Sequence, residues 1–461
     1  MSLRTLPLEV LEILFLYVGI EDLLGVWEVV GVEGSESFWR KVCRREGFLK
    51  IPGEEESWKD VFQRSINWAT GTFQKREYKF EKLKNKPLDI KDTLHGKNLL
   101  VKGKNDVLIW NLETDPEMVQ TLSTDYLRVE GSKLYTHVAT SSSIYSKEKS
   151  KYKKLMDLMS NSPHKFSLQY ALSEDFFAVF QDNHRTIWII DFARVDQSSV
   201  TLSQKVMPIT LLLQNAVLNV LVIEMNRYVL KRFNLHSKEW LEEVVLFKGA
   251  ALISYPDLHM SSDLIAGWCN VFDNRGITPL KVWNAKGELL NSLSMDFITS
   301  FGPNKKLRDP DRIFWMIVKG EYVIISTSTT SLTIWNSKDP DVCRELPKVK
   351  DLYKGQCIIS SSLLVLSYSH CFKVIDFKKA KYLYEVEHQN LPVMFFRNEY
   401  FYITLSEVRE KSEGISLGEE CLPQSSDSSQ GHSSTYDELF NPIRSVFEYT
   451  MCIYDFRGSY S

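Results

Sequence analysis

The 461-residue chain has no paired cysteines, no nucleotide-binding glycine loop and no long apolar run, and each absence removes a class of function. Its seven cysteines (Cys43, Cys269, Cys343, Cys357, Cys371, Cys421, Cys452) are an odd number, lie far apart and form no Cys-x-x-Cys motif. That spacing suits free thiols in a reducing compartment, cytoplasmic or nuclear, rather than a disulfide framework or a clustered zinc motif. The lack of any Asn-x-Ser/Thr acceptor agrees. Gly-x-Gly-x-x-Gly and Walker loops, His-Glu-x-x-His and Gly-x-Ser-x-Gly are all missing, so no catalytic residues are nominated and no cofactor is expected. The nine histidines are scattered, none three to five residues from another, so no metal-ligand pair is indicated. Charge nearly cancels, at -3, which predicts no bulk attraction to nucleic acid or to a membrane surface. The apolar stretch Leu11 to Ile20 is broken by Glu12, followed by Glu21-Asp22 and lacks a small-residue cleavage site, so secretion is not expected. Ile209 to Met225 contains Gln214, Asn215 and Asn219, too polar for a span of about 20 apolar residues, and reads as buried strands.

What remains is a globular composition, 44% hydrophobic and 25% charged, in a chain whose length suggests roughly three domains unless it is built from repeats. The first segment is helical in period. Pro7, Val10 or Leu11, Leu14 and Val18 fall on one stripe, and Leu23, Val26, Trp27 and Val30 on a second. Trp39, Val42 and Cys43 continue it, and Trp58, Val61, Phe62 and Ile66 form a further amphipathic set. A helical unit of about 40 residues cannot bury this much apolar surface by itself and needs a partner.

After Gly71 the helical period stops. A basic connector (Lys75, Arg76, Lys79, Lys82, Lys84, Lys86) leads to a β-rich remainder that repeats one theme: an apolar run closing on Asn or Asp, then a polar turn. It ends at Asn111, Asp191, Asn234, Asn284, Asn336, Asp376 and Asp455, with a degenerate copy around Leu134 to Tyr145 carrying Ser146 in the closing position. The period of about 40 to 50 residues is that of a four-stranded propeller blade, and it favours a propeller of seven or eight blades over a sandwich. The last copy ends with too little chain left for an outer strand, so a segment between Tyr78 and Ile90 is expected to supply it and close the ring. Residues 406–445, rich in Ser, Glu and Asp, read as a disordered insertion in the last blade.

Leu6-Pro7-x-Glu9-Val10-Leu11, Leu14-Phe15-Leu16-Tyr17-Val18, Asp22-Leu23-Leu24 and Phe38-Trp39 together resemble an F-box, and the closing dipeptides resemble those of WD repeats. Asn67-Trp68-Ala69-Thr70-Gly71 is similar to a segment that F-box and WD-repeat proteins place before their first blade. Two departures stand out. Val29-Val30-Gly31-Val32 runs early into Phe38-Trp39, shortening the middle of the F-box, and most copies have Asn for Asp and lack an early Gly-His pair.

The resemblance implies an α+β multidomain chain: an F-box over 1–48, a helical linker over 49–75 and a WD-like β-propeller over 76–461. It also implies a non-catalytic target-binding subunit of a ubiquitin ligase, docking a Skp-type adaptor and through it a cullin-RING assembly. Leu6, Pro7, Val10, Leu11, Leu14, Val18, Leu23, Leu24 and Trp39 would form the adaptor contact, and the propeller would hold an unspecified target protein. A scaffold with a vestigial F-box is the alternative; an enzyme with a site in the propeller channel lacks any supporting motif.

Overall fold

Strong helix-start signals set the first elements. Ser35 accepts from the Phe38 N–H at 3.2 Å, and Ser57 and Asp60 form a reciprocal capping box. They open α3 (Glu36–Glu46) and α4 (Trp58–Thr70), which follow α1 (Leu8–Phe15) and α2 (Leu23–Val30). Pro7 stands as the N-cap of α1 rather than inside its first turn. The structure is a computed structural model describing residues 3–80 and 93–458. It leaves out residues 49, 52–53, 103–104, 125, 131, 139–140, 160–168, 181–184, 195, 204–205, 215, 226, 249–256, 262, 269–278, 295–312, 328–331, 347–354, 361 and 409–447.

The β-rich remainder forms eight sheets of four principal strands, each strand antiparallel to its neighbours, and these are eight propeller blades. Blades 1 to 7 span 93–123, 126–159, 169–201, 207–248, 257–294, 313–346 and 355–387. Blade 8 takes Pro392–Arg397, Phe401–Val408 and Glu448–Asp455 from the end of the chain and Gln74–Phe80 from before blade 1. The closing strand thus starts earlier than the sequence suggests, pairing Gln74 with Asp455 through to Phe80 with Tyr449. Its Arg76 meets the Asp455 carboxylate at 3.0 Å, so that part of the basic connector is structural. The rest of the connector, Lys82 to Ile90, lies outside the described residues.

The repeated theme marks the third strand of every blade, and Ser146 falls on the third strand of blade 2. The closing Asn or Asp has a local task. Its Oδ1 accepts backbone N–H groups two to four residues on: Ala193 and Arg194 on Asp191, His236 and Ser237 on Asn234, Lys286 and Glu288 on Asn284. This Asx turn needs an acceptor oxygen and no charge, which explains why Asn replaces Asp so freely. The next residue donates its N–H across to the carbonyl before the second strand in all eight blades. The series runs from Leu112 to Lys97 at 2.9 Å through to Phe456 to Tyr400 at 3.0 Å.

Each junction between neighbouring blades holds its own apolar cluster. Leu100, Ile109 and Leu134 lie between blades 1 and 2, for example, and Leu264, Met316 and Trp335 between blades 5 and 6. The stretch Ile209–Met225 supplies two strands of blade 4, as its polar interruptions suggest. Among the described residues, no helix is long and apolar enough to cross a membrane. The expected insertion begins later than 406, because Ser406 pairs with Thr450 inside blade 8 and the second strand runs on to Val408. The remainder of that insertion lies outside the described residues.

Asn234→Ala is expected to lower stability by about 1 kcal/mol through loss of its turn acceptor. Asn234→Asp, which keeps the oxygen, should leave the urea midpoint unchanged.

Candidate functional site

The helices share one core. Leu11 and Phe15 of α1, Leu23 and Trp27 of α2, Trp39 and Val42 of α3, and Val61 and Phe62 of α4 are all buried in it. Edge-to-face aromatic contacts bind them, with Trp27 against Phe15 at 4.6 Å and against Phe38 at 5.2 Å. Trp58, Val61, Phe62 and Ile66, in the segment expected as a linker, thus complete the helical core. The shortened connection between α2 and α3 closes because Gly34 lies against Trp27 and Phe38: a Cβ there would come within 2.9 Å of both rings. Burial pushes the Cys43 thiol up to about 12, so it stays protonated and unreactive.

This unit straddles blade 8. On one flank, Trp68 fills the junction between blades 7 and 8, stacked on Phe456 at 3.6 Å, with its indole N–H donating to the Glu399 carbonyl at 2.6 Å. Asn67 donates to the Phe456 and Gly458 carbonyls at 2.8 and 2.5 Å. Gly71, in the left-handed region at φ 76°, ends α4 against the Tyr384 ring, whose hydroxyl donates to the Trp68 carbonyl. On the other flank, Ile51 enters the cluster between blades 8 and 1. Between the two, Arg64 pairs with Glu56 at 3.0 Å, both buried, and its guanidinium lies 4.8 Å from the Tyr400 ring centroid. Glu54 pairs with the buried Lys147 of blade 2 and accepts from the Lys97 N–H of blade 1.

All these contacts fall on one face of the propeller, where the first and second strands and the third and fourth strands of each blade are joined. The long connections 269–278, 295–312 and 409–447 join strand ends on the opposite face.

The outward side of the helices carries an apolar ridge. Val10, Ile13 and Leu14 share one stripe of α1, and Tyr17 extends it by a turn. Ile13 is 60% and Tyr17 88% exposed, and Leu8, Val29 and Val32 are exposed as well. Of the residues expected to meet an adaptor, Pro7, Val10 and Leu14 are exposed, and Leu6, Val18 and Leu24 are half-buried against the helical core. Leu11, Leu23 and Trp39, at 2% exposure or less, lie in the interior of the helical core. Sequence reasoning missed Ile13 and Tyr17, although their spacing of three and seven from Val10 carried the signal.

Two other features have chemical potential. The fourth strand of blade 4 is broken between Glu239–Trp240 and Val244–Lys248, opening a cavity of about 350 Å³ lined by Thr201, Ser203, Trp240, Leu241 and the ion pair Lys231–Glu243 at 2.9 Å. His370, Cys371 and Glu385 cluster on blade 7 with ligand atoms within 4.8 Å of one another, a grouping their sequence positions conceal.

No protein-family profile matches the chain, and no curated protein matches it in sequence. Among solved structures it is similar to the computationally designed Ika8 protein, at 12% identity and TM-score 0.45, covering 69% of this chain and 94% of that one. Apo AztD from Citrobacter koseri gives 11% and 0.44 over 73% and 90%, and Hsv2p from Kluyveromyces lactis 13% and 0.40 over 66% and 98%. None reaches a TM-score of 0.5, and the eight-blade architecture rests on the strand pairing within the chain itself.

Trp68→Ala is expected to cost about 3–5 kcal/mol and to expose the helices and the closing strand to limited proteolysis before the central blades. Glu56→Ala, which leaves Arg64 buried without its carboxylate, should cost about 3–5 kcal/mol, read from the denaturation midpoint.

Proposed function

We propose that this chain is the target-recognition subunit of a Skp–cullin–F-box ubiquitin ligase, docking a Skp-type adaptor with its helical ridge and holding a target protein on its propeller. The observation that carries this is the ridge itself. Val10, Ile13, Leu14 and Tyr17 leave a stripe of large apolar side chains in water on helices whose inner faces are already filled. Isolated exposed apolar residues are ordinary, but a helical stripe of them marks a surface built to be covered. The Leu6-Pro7-x-Glu9-Val10-Leu11 opening gives that cover a chemical identity by resemblance.

The propeller suits the second half of the task. Rigid sheets hold connecting loops in fixed relation, and binding residues concentrate on such loops. The helices occupy one face, leaving the opposite face, with its longer connections, for a target. The chain itself performs no chemistry in this account. It raises the effective concentration of a target lysine beside a charged ubiquitin-conjugating enzyme. A second reading, a scaffold without ubiquitin transfer, is favoured by the short α2–α3 connection, which alters the surface next to Val29 and Val32.

Ile13→Asp and Leu14→Asp, both at exposed positions, are expected to weaken capture of the Skp-type adaptor by the intact chain at least about 10-fold with no change in Tm. Leu11→Asp instead places a charge in the helical core and should unfold the helices. A folded wild-type chain that captures no adaptor supports the scaffold.

A further inference from the structure

The end of blade 7 farthest from the helices brings three metal-ligating groups together. Cys371 opens the third strand of that blade (Cys371–Asp376), His370 closes the turn before it, and Glu385 stands on the neighbouring fourth strand (Lys381–Glu387). Their ligand atoms lie within 4.8 Å of one another, so modest side-chain rotation brings all three onto a single ion. The backbone beneath them is fixed: the Tyr368 N–H donates to the Cys371 carbonyl at 2.8 Å, and the His388 N–H to the His370 carbonyl at 2.7 Å. The strand register places Lys373 opposite Glu385.

We propose that His370, Cys371 and Glu385 bind a Zn²⁺ ion. One thiolate, one imidazole and one carboxylate suit a borderline-soft ion that accepts S, N and O donors in tetrahedral geometry, and the soft thiolate disfavours Mg²⁺ and Ca²⁺. Three protein ligands leave a fourth position for water or for a side chain brought by a partner. Cys371 is buried while His370 and Glu385 are exposed, so the ion enters from the solvent side and meets the sulfur last.

Lys373 is compatible with the ion. Its ammonium sits 2.8 Å from Oε2 of Glu385, leaving Oε1 for the metal, and it lies 5.6 and 6.0 Å from the centroids of the Tyr368 and Tyr382 rings. A metal-bound carboxylate is commonly held by such an outer hydrogen bond. Binding breaks the Cys371 S–H bond, forms an S–Zn bond and releases the proton to solvent, with no change of oxidation state.

Co²⁺ titration of the full chain, stripped by chelator and kept reduced with a non-coordinating phosphine, tests the proposal. A thiolate-to-cobalt charge-transfer band in the near ultraviolet should grow to saturation at a single ion per chain and disappear on adding Zn²⁺. Cys371→Ser should abolish the band, and His370→Ala and Glu385→Gln, both at exposed positions, should weaken Co²⁺ binding at least about 10-fold. No band in the wild-type chain, or a band that persists unchanged in folded Cys371→Ser, overturns the site. Should Cys371→Ser fail to fold, unchanged affinity in His370→Ala and Glu385→Gln overturns it equally.

Discussion

Blade 8 is gripped from both flanks by the helical unit, and the ring depends on that grip. Trp68 fills the junction with blade 7 while Ile51 fills the junction with blade 1. The same blade is the one assembled from two distant parts of the chain, since its outer strand, Gln74–Phe80, follows α4 directly. Because Gly71 ends α4 against Tyr384, the closing strand leaves the helix already aimed along Glu448–Asp455. The loop-closure entropy of joining the two ends of a long chain is met at one place by apolar burial, by hydrogen bonds from the Asn67 and Trp68 side chains to backbone carbonyls, and by seven paired strand residues. Helices and propeller thus form one connected structure, and anything bound to the helices is held in a fixed relation to the blades.

Within that frame the blades are nearly independent units. Seven have a third strand closing on an Asn or Asp turn acceptor, all eight have the same backbone bond from that strand's end to the start of the second, and each shares apolar clusters with its neighbours. This is the quasi-one-dimensional logic of repeat proteins, closed into a circle. It also explains why the WD resemblance weakens in detail: an Asx turn asks for an oxygen, and Asn provides it as well as Asp does.

That local demand is why the propeller was so legible in the sequence. An apolar run closing on Asn or Asp recurs because seven of the blades use the same turn, and even Ser146 falls on the third strand of its blade. The ring closure was legible in part, since the segment expected to supply the outer strand, Tyr78 to Ile90, overlaps the observed Gln74–Phe80 only over that strand's last three residues. The helical surface was less so. Both faces of α1 are apolar, and spacing alone could not tell Leu11, which lies in the helical core with Trp27, from Leu14, which faces water; only the packing of the helices together decides between them. Gly34, wedged against two rings, and the His370–Cys371–Glu385 cluster were hidden for the same reason: each is a product of register and tertiary approach rather than of linear spacing.

Hydrogen–deuterium exchange of the intact chain with and without a Skp-type adaptor tests the central claim most directly. The account predicts added protection confined to residues 8–17 of the α1 ridge and to 29–32, with the propeller amides unchanged. Protection absent from the ridge, or appearing on the blades instead, would contradict it.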